Sequence, residues 1–97
     1  MYVGGDVPCC EYKGTGSQEL GDEVASHLAD RGAALLANHG LVTCGSTPDK
    51  ALHNAALVER TAKIIWGARA MGATIHPLPE KVNRDMAGVY RYLRDNP

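Results

Sequence analysis

The chain reads as α/β, with two short strands and three helices. Three observations predict this. The stretch ALLANHGLVTCG at 34–45 is apolar on both sides of a polar triplet, Asn38-His39-Gly40. Apolar residues recur at helical spacing in three other segments. Each of those segments carries its own start or stop residues.

The first 16 residues hold Gly4, Gly5, Pro8, Gly14 and Gly16, a loop composition with one short extended piece at 9–12. Gly14-Thr15-Gly16 is not a dinucleotide fingerprint, because Glu19 stands where the third glycine belongs. Ser17 is a capping residue, with Glu19, Asp22 and Glu23 near the positive helix end. Leu20, Val24 and Leu28 form one stripe, and Arg31-Gly32 supplies a stop, so a helix is expected over 17–31.

Residues 33–37 and 41–44 read as two short buried strands, or one strand interrupted at the triplet. Thr47-Pro48-Asp49 then opens a helix that runs to Met71, with Gly72 beyond it. At its full length that helix is about 35 Å long. Leu52, Leu57, Val58, Ile64, Ile65 and Trp66 wrap much of its circumference, which predicts contact on more than one side. After a linker at 74–78, Pro79-Glu80 opens the last helix. There Val82, Met86, Val89, Tyr90 and Leu93 share one face. Two short strands are too few to cover both faces of a sheet. Residues 1–97 therefore read as one partial domain.

A chain of 97 residues allows one small domain. It contains no Phe, so its core is expected to come from Leu, Val, Ile, Ala and Met. Net charge is -1 and no Lys/Arg run stands out, which argues against nucleic acid or an anionic membrane surface as partner. No apolar run approaches the roughly 20 residues of a membrane span, and the N-terminus lacks the pattern of a secretory signal. Cys9, Cys10 and Cys44 are odd in number and two are adjacent, which is no disulfide framework; a reducing cytoplasm is the expected setting. Adjacent cysteines point apart in an extended chain and lack zinc-ligand spacing, so small buried apolar roles are expected for them.

His39 is the candidate functional residue. A glycine after it lets the backbone turn sharply or lets a ligand approach. Two readings stand on the residues alone: a hydrogen-bonded turn histidine, or a ligand for zinc or a similar divalent metal. His27 and His53 lie within helices, without a metal-spaced partner, and His76 precedes Pro77 in the linker; all three read as structural.

Several segments together resemble the class II aldolase/adducin family, over nearly the whole chain. They are Pro8-Cys9-Cys10-Glu11-Tyr12, Gly16-Ser17-Gln18-Glu19-Leu20, 34–45, and Ala51-Leu52-His53 with Val58-Glu59. The resemblance is to the C-terminal part of the family's αβα fold. It implies a zinc-dependent retro-aldol cleavage of a sugar phosphate to dihydroxyacetone phosphate and an aldehyde, in a cytoplasmic homo-oligomer, commonly a tetramer. It also implies that His39 matches the third metal histidine and that Tyr92, or Tyr90, matches a tyrosine near the family's C-terminus. The family's His-x-His pair, its acid/base glutamate and its phosphate loops have no counterpart here. Tyr2 sits too close to Gly4-Gly5 to be its subunit-interface tyrosine. The chain alone is thus expected to lack a complete active site and tight zinc binding. A non-catalytic assembly module of the adducin kind, or a piece of a pentose-phosphate epimerase, stays open on the same residues.

Overall fold

The computed structural model describes residues 3–96 of the chain; Met1, Tyr2 and Pro97 lie outside the described residues. The element order is β1 (Cys9–Cys10), α1 (Gln18–His27), β2 (Ala33–Leu36), β3 (Gly40–Thr43), α2 (Pro48–Ala70) and α3 (Glu80–Asp95). The architecture is α/β, with three helices as expected and three strands instead of two. The added strand is the extended piece near residue 9. It pairs in parallel with β2, placing Cys9 opposite Leu35 and Cys10 opposite Leu36. Flanking bonds extend this pairing, from Leu35 N–H to the Pro8 carbonyl (2.8 Å) and from Gly32 N–H to the Val3 carbonyl (2.7 Å). β2 and β3 form an antiparallel hairpin, with Leu36 opposite Gly40 and Ala33 opposite Thr43.

Helix boundaries follow local chemistry. The Ser17 hydroxyl accepts from Leu20 N–H and starts α1. Helix α1 stops at its cap Leu28, earlier than the Arg31-Gly32 signal predicts. Arg31 is drawn away instead: its guanidinium donates to the Asp6 carbonyl and carboxylate (both 3.0 Å) and meets the Asp30 carboxylate (3.2 Å). Thr47 caps α2 through Lys50 N–H, Pro48 sits in its first turn, and Met71 closes it. Helix α3 begins after Pro79 as expected, without a side-chain cap.

The apolar core is smaller than composition suggests. Val3, Cys10, Ala33 and Ala34 are the fully buried apolar residues among those described. Ala33 and Ala34 both have no exposed surface. Successive strand residues face opposite sides, so both faces of β2 are covered at its start. Helices α1 and α2 pack on β2, and Tyr90 of α3 closes over Gly4 and Gly32. Leu and Ile do not form this core, because α2 buries only Asn54. The Asn54 side-chain amide donates to the Cys44 carbonyl (2.8 Å) and locks α2 to the end of β3. Farther along, Trp66 is 71% and Met71 83% exposed. The contact expected on several sides of α2 is therefore not made among the described residues. The Cα radius of gyration, 14.3 Å, agrees; a compact domain of this length has about 12.5 Å.

Gly4 shows how tight the closure is. It has φ +100°, and a Cβ there would lie 2.7 Å from the Asp30 carbonyl oxygen and 2.9 Å from the Tyr90 ring. Gly4→Ala is expected to cost about 2 kcal/mol, a fall of roughly 10 °C in thermal midpoint. Gly21→Ala, in open space on α1, is expected to gain about 0.5–1 kcal/mol. Circular-dichroism melts of the two variants check both signs.

Candidate functional site

His39 stands on the hairpin turn between β2 and β3. Asn38 takes φ +66°, a left-handed conformation that Asn tolerates better than most residues, and Gly40 takes φ +141°. His39 N–H donates to the Leu36 carbonyl (2.9 Å) and closes the turn. The polar triplet is thus a turn between two strands, not an interruption within one. It leaves the imidazole exposed.

The imidazole is nonetheless held. Its Nε2 lies 3.2 Å from the Lys13 carbonyl oxygen and its Nδ1 3.3 Å from the Thr15 hydroxyl. The Tyr12 ring stacks on it, with centroids 5.7 Å apart and planes 7° from parallel. A carbonyl oxygen only accepts, so Nε2 donates to Lys13. In the neutral ring Nδ1 then has the bare lone pair and accepts from the Thr15 hydroxyl. Both partners and the stacking ring come from the loop after β1. The parallel pairing of β1 with β2 delivers that loop to the hairpin tip.

Sequence reasoning did not foresee this clamp, because Tyr12, Lys13 and Thr15 lie 24 to 27 residues from His39 and carry no spacing signal. Among the described residues, no group of three or more His, Cys, Asp or Glu side chains is placed to hold a metal ion. Tyr92 lies on α3, 65% exposed. No hydrogen bond or ring contact joins it to His39 among the described residues. Tyr90 is half-buried; burial pushes its hydroxyl pKa up, as does nearby Cys44, while Arg94 opposes the rise. Of the other histidines, His27 pairs with Glu23 (3.4 Å) and His76 is exposed in the linker. His53 borders a cleft at the start of α2. The three cysteines are free; Cys10 is buried in β1, and burial followed by the Glu23 charge pushes its thiol pKa up.

Residues 1–66, which include the whole hairpin and the loop that grips His39, match the family described as Class II Aldolase and Adducin N-terminal domain. The chain belongs to the class II aldolase and adducin family. It is 41% identical over 86 residues to the L-fuculose phosphate aldolase of Escherichia coli K12, covering 89% of this chain and 39% of that protein. It is 40% identical over 62 residues to the 3-oxo-tetronate 4-phosphate decarboxylase of the same strain, covering 64% and 29%. A 5-deoxy-D-ribulose 1-phosphate aldolase of Bacillus thuringiensis is 32% identical over 71 residues, covering 73% and 33%. The chain thus spans about two fifths or less of the curated relatives it matches. The aldolase likeness agrees with the sequence; the decarboxylase was not foreseen there. No helix among the described residues is long and apolar enough to cross a membrane.

Two outcomes follow. Ring-nitrogen NMR shifts of His39 are expected to place a proton on Nε2, and Thr15→Ala to shift the Nδ1 resonance while the hairpin amides stay in place. The second concerns pH. Cys10 and Tyr90 hold their protons more tightly folded than unfolded. Their contribution to stability is therefore full below pH 9.0 and is lost as pH rises past the usual thiol value and then past 10.0. Thermal midpoints taken from about pH 8 to about pH 11 are expected to fall in that order. Cys10→Ala should remove the lower part of the fall and Tyr90→Phe the upper.

Proposed function

We propose that this chain supplies the His39-bearing wall of a lyase site that cleaves a carbon–carbon bond in a sugar phosphate, in the manner of L-fuculose phosphate aldolase. The observation that carries the reading is the place of His39: an exposed imidazole on a hairpin turn, steadied from three sides, inside the segment that matches the family. The likeness to both aldolases and a decarboxylase supports the same class of chemistry. Each reaction breaks a carbon–carbon bond beside a carbonyl and leaves electrons that must be stabilised.

Zinc is the ion proposed for that site, where it would act as a Lewis acid on the carbonyl oxygen; His39 would be one ligand through Nδ1, whose lone pair the Thr15 hydroxyl would then give up. The described residues do not fit zinc by themselves. Catalytic zinc takes about three protein ligands, and His39 is accompanied here by a hydroxyl, a backbone carbonyl and a phenol ring. The other ligands, the acid/base carboxylate and the phosphate-binding groups are proposed to come from polypeptide corresponding to the remainder of the relatives' length. Alone, the chain is proposed to be inactive. Within the site, the loop that carries Tyr12, Lys13 and Thr15 fixes the direction of the imidazole. Tyr92, exposed on α3, is the proposed proton-handling tyrosine. The free cysteines support a cytoplasmic setting, and the exposed apolar residues of α2 support assembly into a homo-oligomer.

A chimera tests the reading. This chain's residues replace the matching 86-residue segment of the Escherichia coli L-fuculose phosphate aldolase. The chimera is expected to release an aldehyde from L-fuculose 1-phosphate. In it, His39→Ala should lower kcat by about a hundredfold or more and reduce bound zinc. Tyr92→Phe should lower kcat by roughly ten- to a hundredfold. A folded chimera whose only product is carbon dioxide from 3-oxo-tetronate 4-phosphate would move the assignment to the decarboxylase. A folded chimera with neither activity would remove it.

A further inference from the structure

A second candidate site lies at the other end of β3. His39 precedes that strand and Cys44 follows it, so the two ends are about 15 Å apart. At the Cys44 end a cleft of about 510 Å³ opens between the end of α1, the start of α2 and the end of α3. That volume is in the range of small-molecule sites. One small ligand does not reach both the cleft and His39.

The charge of its lining is one-sided. Lys50 and Arg94 border it, together with His53, Ser46 and Tyr90, and no Asp or Glu does. The chain as a whole has 11 acidic and 10 basic residues, so a lining with two cationic side chains and no carboxylate is a local reversal of the overall balance, offset in part by Asp95, which pairs with Arg94 beside the cleft. Lys50 makes no ion pair among the described residues. Arg94 is already oriented: Nη1 donates to the Ala29 carbonyl (2.7 Å), Nε to the Asp95 carboxylate (3.2 Å), and the guanidinium lies 5.8 Å from the Tyr90 ring centroid. Its Nη2 has no partner among the described residues and remains to donate. A guanidinium held by its own hydrogen bonds and an ammonium bordering the same cleft are donors suited to phosphate. Leu28 and Leu93 add an apolar wall, which suits a short carbon chain attached to that phosphate.

We infer that this cleft binds a small organic phosphate, at a site separate from His39 and independent of the chemistry proposed there. The test is an amide NMR titration of the 97-residue chain with glycerol 3-phosphate, with inorganic phosphate and with glycerol as separate arms. Expected are shifts at Ser46, Lys50, His53 and Arg94, with a dissociation constant of about 1 mM. Binding should be tighter for glycerol 3-phosphate than for inorganic phosphate, absent for glycerol, and weakened by added salt. Lys50→Glu, at an exposed position, should leave the spectrum folded and weaken binding about tenfold or more. Silence up to about 20 mM phosphate, shifts that persist in Lys50→Glu, or an equal response to glycerol would each overturn the inference.

Discussion

Two residues of β1 make the strand pairing on which the rest of the structure depends. Cys9 and Cys10 lie in parallel beside Leu35 and Leu36, with the Pro8 and Cys10 carbonyls accepting from Leu35 and Ala37 N–H and the Val3 carbonyl from Gly32 N–H farther back. A parallel pair needs a crossover, and α1 provides it. That crossover fixes the loop between β1 and α1 at the hairpin tip, where Lys13 and Thr15 meet the imidazole of His39. It also buries Cys10 and the small residues of β2, whose Cβ atoms let the layers approach closely. The orientation of the imidazole is therefore set by backbone hydrogen bonds some distance from it.

The helices were legible where capping chemistry is local. Thr47-Pro48 and Pro79-Glu80 mark starts that the structure keeps, and Met71-Gly72 marks an end. The end of α1 was overestimated because Arg31 answers to Asp6, a residue 25 positions earlier, and not to its own helix. A helix-stop signal has no means of registering such a partner. The first strand was legible only as an extended piece, since two residues are too short to show period-two alternation.

The candidate site divides in the same way. Asn38-His39-Gly40 could be read from sequence because turn residues between apolar runs have a local meaning. The groups that grip His39 could not, since β pairing alone sets their proximity. The cleft beside Lys50 and Arg94 was equally hidden: its charged groups lie 44 positions apart and on different helices. The exposed side chains of α2 show the reverse case. Their apolar pattern was plain, but nothing among the described residues covers them.

The bond from Arg94 to the Ala29 carbonyl spans 65 residues. Closing so long a loop costs more chain entropy than closing the hairpin, so the hairpin is expected to order first and the docking of α3 to come late. The same docking supplies one wall of the phosphate cleft. A phosphate held between Lys50 and Arg94 would bridge α2 to α3 and staple the C-terminal helix in place. Occupancy of that cleft would then show itself as slower release of the helix, with the sheet and its imidazole undisturbed.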